Sequence, residues 1–131
     1  MNVLVEEWIA KAEEDFVVAL REHRARKAPA HGAVCFHAQQ CIEKYLKAVL
    51  TLKGSAFTKI HDLAILLDAC VPHFPAWQAM GDDMKRLSNY AVRFRYPGEN
   101  ADRGDAREAV RIMKASRRQI REGLGLRDVY G

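Results

Sequence analysis

Residues 33–52 carry two adjacent apolar rows at helical spacing. One row is Val34, Ala38, Cys41, Tyr45 and Val49, and the next is Cys35, Ile42, Leu46 and Leu50. Because residues three and four positions apart share a helix face, the two rows together cover about half of the cylinder. So apolar a helix needs several neighbours, either all within one chain or partly across a dimer interface. The pattern predicts a central helix and leaves those two arrangements open.

The segments around this one also have helical signatures. Apolar residues recur at three- and four-residue steps over residues 3–24. The stretch HDLAILLDAC (61–70) predicts a short helix with Asp62 as its N-cap. A further helix runs from about residue 77 or 82 to 94, since the residue before Pro97 avoids the α region.

A long last helix is predicted after Gly104. Asp105 and Glu108 suggest a capping box at its start, and an apolar stripe follows as far as Leu124. No stretch alternates apolar and polar residues over more than a few positions. We therefore predict an all-α fold, a four- to five-helix up-and-down bundle. The 131 residues suit a single domain, 1–131, with its core at about 3–124 and a frayed tail at 125–131.

Composition is that of a globular protein, with 49% hydrophobic and 29% charged residues. The three cysteines, Cys35, Cys41 and Cys70, lie in apolar stretches, which predicts buried, reduced thiols. The acidic N-terminal stretch is unlike a signal peptide, and no run approaches the ~18 apolar residues of a membrane span. We expect a cytoplasmic protein without membrane contact.

A row of cations follows the last helix. Arg107, Arg111, Lys114, Arg118 and Arg121 succeed one another at steps of four, three, four and three, which places all five on one face over ~20 Å. Such a row can neutralise several phosphates of an RNA. The alternative is a solvated face of good helix formers. Because the net charge is only +4, the local cluster matters more than the total.

The segment NYAVRFRYPG (89–98) alternates cations with aromatic rings at a helix end. Guanidinium groups bind phosphate in a forked geometry, and arginine and tyrosine planes stack on bases. Arg93, Arg95 and Tyr96 are therefore candidates for binding a nucleotide or RNA. The alternative is a structural helix end, in which the aromatic rings pack and the arginines reach solvent.

On the central helix, Gln40, Glu43, Lys44 and Lys47 form a polar strip, and Gln39 lies within an apolar row. A buried glutamine needs hydrogen-bond partners. Gln39 therefore bridges helices or a dimer seam, or else faces a ligand. We count Lys44 and Lys47 among the candidate phosphate contacts.

Five histidines raise the question of a metal or a general base. Two pairs stand about one helical turn apart without a third ligand, His37 with Cys41 and Cys70 with His73, so we predict no metal site and no cofactor. His61, ahead of a helix start, is a weak catalytic candidate, with a structural hydrogen bond as the alternative. Lys59 beside it is a candidate phosphate contact. Motifs of ordinary hydrolases and NTPases are absent from the sequence.

Three segments together resemble the HEPN domain in its small stand-alone prokaryotic form. They are CFHAQQCIEKYLKAVL (35–50), KIHDLAILL (59–67) and NYAVRFRYPGE (89–99), and the resemblance extends over residues 8–124. It implies a helical bundle, commonly a homodimer, often encoded beside a minimal nucleotidyltransferase in toxin–antitoxin style pairs. By position, Gln40, Glu43, Lys44 and Lys47 match the first segment, His61 and Asp62 the second, and Arg93, Arg95, Tyr96 and Pro97 the third.

Some proteins that the chain resembles are metal-independent ribonucleases with an R-x4-6-H motif, whose arginine steadies phosphate and whose histidine serves as acid or base. Here no histidine occurs between Arg93 and Gly131. Arg26 and His31 have the spacing, but they lie in the predicted first loop. The motif is therefore missing from its expected position, which argues against nuclease activity.

From these features we expect a non-catalytic helical module that binds nucleotide or RNA phosphate and pairs with a nucleotidyltransferase. The first alternative is a divergent metal-independent ribonuclease, toxin-like, in which His61 or His31 replaces the missing histidine. The second is a structural dimer or scaffold without a ligand.

Overall fold

The computed structural model describes residues 1–57 and 59–126, and all its regular elements there are helical. They are α1 (Val3–His23), α2 (His31–Leu52), α3 (Leu63–Cys70), a 3-10 helix (Pro75–Met80), α4 (Gly81–Arg93) and α5 (Arg103–Gly123). The prediction of an all-α bundle of four to five helices is confirmed. Most of the predicted tail, from residue 127 onward, lies outside the described residues.

α2 is the central helix that its two apolar rows predict. Both rows are buried throughout, and α1, α3, α4 and α5 all pack against it. The neighbours are thus supplied within one chain, as in the first of the two predicted arrangements. Cys35, Cys41 and Cys70 are buried and form no disulfide, and burial raises the pKa of Cys35 and Cys70 to about 12.

Two N-caps show how local sequence begins the helices. Asp62 accepts hydrogen bonds from the backbone N–H groups of Ala64 and Ile65, as predicted. The predicted capping box of α5 is wrong by three residues, because the box forms between Asp102 and Asp105. Glu108 is instead drawn into ion pairs with neighbouring arginines.

A polar network ties α5 to α1 and α2 inside the bundle. Arg117 is 2% exposed and donates two hydrogen bonds of 2.8 Å to the Glu13 carboxylate. The same carboxylate accepts a hydrogen bond of 2.6 Å from the Tyr45 hydroxyl. Arg121 donates to the same hydroxyl at 3.0 Å. Burial alone would raise the pKa of Glu13, but the hydrogen bonds from Arg117 and Tyr45 lower it below its usual value.

The helix directions bring the start of α2 close to the end of α4. α1 runs antiparallel to α2, since Asp15 meets His37 while Trp8 lies beside Lys47. Phe94, just after α4, lies against Gly32 in the first turn of α2. This arrangement leaves a cleft between α2, α4 and the segment that leads into α3.

Candidate functional site

The cleft has a volume of about 450 Å³, and it collects side chains from the central helix, from the segment around His61 and from the segment that contains Arg95. α2 contributes Phe36, Gln39, Gln40 and Glu43; the lead into α3 contributes His61 and Asp62; α4 and the residues after it contribute Ser88, Ala91, Val92 and Arg95. The site is therefore assembled from residues more than 50 positions apart in the sequence.

Glu43 and His61 form a hydrogen-bonded pair on the cleft wall. The Glu43 side chain is 6% exposed, whereas that of His61 is 71% exposed, and His61 Nδ1 lies 3.0 Å from Glu43 Oε2. Burial raises the pKa of Glu43, but hydrogen bonds from His61, Gln39 and Lys47 outweigh it and lower the pKa overall. Because the carboxylate is ionised and only accepts, the neutral imidazole carries its proton on Nδ1. Nε2 is then an acceptor, with no partner among the described residues.

The two glutamines extend this network along α2. The Gln39 amide donates hydrogen bonds to Glu43 at 3.0 Å and to the His61 backbone carbonyl at 3.1 Å. The Gln39 side-chain oxygen accepts a hydrogen bond of 2.8 Å from Gln40. The prediction that buried Gln39 needs partners is confirmed, and the residue bridges α2 to the lead into α3. Gln40 lines the cleft, and its side-chain oxygen has no hydrogen-bond partner among the described residues.

Arg95 and Arg93 have different surroundings, although only two positions separate them in the sequence. Arg95 is exposed in the cleft, with its guanidinium 6.0 Å from the Phe36 ring centre, and no described carboxylate pairs with it. Arg93 forms a 2.9 Å ion pair with Glu99 and lines a neighbouring hollow of about 490 Å³. Tyr96 is 64% exposed. Arg95 is thus the arginine of this segment with its charge turned to the cleft.

The three lysines predicted as phosphate contacts do not lie in the cleft with Arg95. Lys44 forms a 2.6 Å ion pair with Asp15 on α1. Lys47 is buried, donates to Glu43 at 3.0 Å and lies beside the Trp8 ring. Lys59 is exposed and does not line the cleft. Structural partners therefore account for Lys44 and Lys47.

The predicted cationic row on α5 is divided by its surroundings. Arg107, Lys114 and Arg118 are exposed, and Arg111 is held in ion pairs with Glu108 at 2.7 Å and Asp83 at 3.1 Å. The prediction that Arg121 shares this exposed face is wrong, because the side chain is buried at the Tyr45 hydroxyl. A polar partner on α2 draws it inward.

Ser88 was not foreseen from the sequence, and no local signal marks it. Its hydroxyl accepts 2.9 Å from the backbone N–H of Leu63, which joins the start of α3 to α4 and shapes the cleft. Phe36 was likewise assigned no role, although its ring forms the wall beside Arg95. Among residues 1–57 and 59–126, no three His, Cys, Asp or Glu side chains are placed to hold a metal ion. No helix in those ranges is long and apolar enough to cross a membrane.

Comparison with known proteins gives a family and a fold. The family model for the HEPN domain matches residues 5–122. No curated protein matches significantly. A crystal structure of TT1696 from Thermus thermophilus superposes with a TM-score of 0.78 at 20% identity, covering 91% of this chain and 97% of that one. The crystal structure of ST0689, an archaeal HEPN homologue, superposes with a TM-score of 0.64 at 27% identity, covering 88% of this chain and 97% of that one.

Proposed function

This chain belongs to the HEPN domain family, and from that premise we propose that it is a binding module whose cleft holds a nucleotide or RNA through phosphate. The observation that carries the proposal is Arg95. An exposed guanidinium with no described ion-pair partner stands at the mouth of a cleft whose buried carboxylate, Glu43, is already matched by Lys47. An anion entering this cleft meets a guanidinium that no described carboxylate pairs with.

The rest of the cleft suits the non-phosphate part of such a ligand. Phe36 and the 56% exposed Val92 offer apolar surface on which a base can lie. Gln40 and His61 Nε2 add acceptors for amino or hydroxyl groups. Asp62 also lines the cleft, and the partial positive charge of the first backbone N–H groups of α3, which donate to its carboxylate, offsets part of its repulsion.

Titration with 5′-AMP and with a labelled single-stranded RNA at two salt concentrations tests this function. We expect saturable binding that weakens at high salt. Arg95→Gln should weaken it about tenfold, as for one charge-assisted contact. Arg93→Gln is the matched control, two positions away and already paired with Glu99, and should change affinity less than about twofold. Equal loss in both variants, or no saturable binding, would contradict the proposal.

A second candidate function, metal-independent RNA cleavage, is favoured by the Glu43–His61 pair. A carboxylate that orients an imidazole leaves Nε2 available as a general base, in the same cleft as a phosphate-binding arginine. In this arrangement the histidine precedes the arginine in the chain, unlike the motif that the family's nucleases use. Incubation with structured RNA in a chelator tests it. Cleavage that His61→Ala abolishes supports the enzyme, and intact RNA with the wild-type protein opposes it.

We also propose protein partners on the strength of the family: a second copy of the chain and a minimal nucleotidyltransferase. Val3 and Leu4 at the start of α1, and Val17 and Val18 in its second half, are exposed apolar side chains, and such exposed apolar surface suits a protein contact. Size-exclusion chromatography with light scattering tests the homodimer. Co-expression with a nucleotidyltransferase encoded beside the chain, followed by co-purification, tests the second partner.

A further inference from the structure

Lys47 of α2 is a charged side chain in the interior of the bundle, beside the cleft but not among the residues that line it. Its side chain is 7% exposed, and its ammonium donates a 3.0 Å hydrogen bond to Oε2 of Glu43. Among residues 1–57 and 59–126, no other carboxylate pairs with this ammonium. Because a buried ammonium is costly unless it is paired, Lys47 depends on Glu43.

Two aromatic rings from different parts of the chain help to fix the position of this ammonium. Lys47 Nζ lies 5.6 Å from the ring centre of Trp8 on α1 and 5.8 Å from that of Phe57 in the lead into α3. The two rings meet edge to face, with their centres 6.1 Å apart. Cation–π contacts at these distances attract the ammonium. Helix α1, helix α2 and the lead into α3 therefore all contribute to holding this charge in place.

Lys47 and His61 meet at a single oxygen atom. Oε2 of Glu43 lies 3.0 Å from Lys47 Nζ and 3.0 Å from His61 Nδ1, whereas Oε1 accepts a hydrogen bond from Gln39. The ammonium and the imidazole are therefore only a few ångströms apart, with one negative charge between them. The carboxylate stays ionised, since the pKa of Glu43 lies below its usual value in spite of burial.

The charges of this group balance only when His61 is neutral. Glu43 carries one negative charge and Lys47 one positive charge, and both side chains are almost fully buried. A second proton on the His61 ring would place another positive charge close to the ammonium, where water screens it weakly. Without the Lys47 charge, the same proton would complete an ion pair with a buried carboxylate. The ammonium therefore decides which form of the imidazole is favoured.

We propose that Lys47 is a positioning residue of the cleft, which acts through Glu43 to keep the His61 ring neutral, with its proton on Nδ1 and an acceptor at Nε2. The assignment rests on the proposed function only in taking Nε2 as an atom that meets the ligand. In this form the cleft offers two different groups to a ligand. Arg95 meets phosphate, and His61 Nε2 meets a hydroxyl or amino group that donates to it. An imidazolium would donate at Nε2 and compete with Arg95 for phosphate.

The charged groups around His61 determine what its titration reports. Glu43 and Lys47 face the ring from α2, and Asp62 follows it in the chain. Arg95, just after α4, lines the same cleft. Of these four side chains, Glu43 is the one that hydrogen-bonds to the ring, and Lys47 is the cation that shares its carboxylate oxygen. Removal of the Lys47 charge should therefore act on His61 more strongly than removal of the Arg95 charge.

NMR of the imidazole nitrogens in the chain without ligand tests the assignment, and His61→Gln identifies the signals. In the wild-type protein at pH 7.5 we expect a protonated Nδ1 and an unprotonated Nε2. Lys47→Gln keeps a donor for Glu43 but removes the charge, so the midpoint of the His61 titration should rise by about one pH unit, a tenfold change in proton affinity. Lys47→Met should move the midpoint in the same direction. Lys47→Arg keeps the charge and should leave the midpoint at the wild-type value.

Lys44→Gln is the matched control, because Lys44 also lies on α2 and pairs with a carboxylate that contacts a histidine, Asp15 beside His37. It should move the titration of His37 and leave that of His61 unchanged. The assignment is overturned if the His61 midpoint does not rise in a folded Lys47→Gln or Lys47→Met protein, or if Lys47→Arg or Lys44→Gln raises it as far. These measurements involve no ligand. Failure of 5′-AMP and RNA to bind would therefore contradict the proposed function and leave this result standing.

Discussion

Two carboxylates, Glu43 of α2 and Glu13 of α1, each accept hydrogen bonds from more than one element of the fold. Around Glu13, the partners are Arg117 and Tyr45, and the guanidinium is almost fully buried. Around Glu43, one partner is His61, whose ring is largely exposed. In the first cluster these polar groups satisfy one another. The second leaves one ring nitrogen turned outward.

The difference separates stability from binding. An ion pair between a buried guanidinium and a partly buried carboxylate holds helices in register, and removal of either member leaves the other charge without its partner. A buried carboxylate that accepts a hydrogen bond from an exposed imidazole is itself shielded from solvent. It fixes the tautomer of a ring that a ligand can reach. We expect changes at the Glu13 cluster to act on folding, and changes at the exposed edge of the Glu43 cluster to act on the ligand.

Arg117→Met should have the largest effect. Methionine fills much of the volume but leaves the Glu13 carboxylate without its bidentate partner, so we expect a loss of about 3 kcal/mol in the free energy of unfolding. Thermal denaturation should show a fall in Tm of about 10 °C. Lys114→Met, on the exposed face of the same helix, is the control and should stay within about 0.5 kcal/mol. Similar losses of unfolding free energy in both variants would show that the hydrogen bonds of the Glu13 network do not stabilise the fold.

Glu43→Gln should cost about 2 kcal/mol, because it leaves the buried ammonium of Lys47 without a counter-charge. Urea unfolding measures the loss. Adding Lys47→Met to Glu43→Gln removes the stranded charge and should recover part of the stability. Strict additivity of the two substitutions would mean that the pair is not coupled.

Acid should weaken the Glu13 cluster. The pKa of Glu13 is lowered in the folded state, so its contribution is fully present above the unfolded value of about 4.3 and disappears as the pH falls through the folded value. The stability difference between the wild-type protein and Glu13→Gln, about 1–2 kcal/mol at pH 7, should hold at pH 5 and shrink below pH 4. A difference that grew in acid would have the wrong sign.

His61→Gln should have the smallest effect on folding. The ring is largely exposed and Glu43 keeps two other donors, so we expect less than about 0.5 kcal/mol. The same variant should change binding of 5′-AMP or RNA in the cleft. Full retention of binding together with a large loss of stability would reverse the roles assigned to the two clusters.

Periodicity predicted much of the fold because a helix face follows from its own residues. The two rows of α2 are buried, Asp62 caps α3, the cysteines are internal, and Gln39 found the partners that its burial required. The capping box of α5 was misplaced because two acids three residues apart occur twice at its start, Asp102 with Asp105 and Asp105 with Glu108. Local spacing alone does not choose between them.

The sequence by itself determined the all-helical class with four to five helices, the buried face of most of them, and the three segments that line the cleft. Only the tertiary structure decided which of those side chains meet. It turned Arg121 inward to Tyr45, paired Lys44 and Lys47 within the fold, and placed Arg95 in the same cleft as the Glu43–His61 pair. The physical reason is that a helical repeat orients a residue about its own axis, whereas a partner 18 or 104 positions away is brought near only by packing.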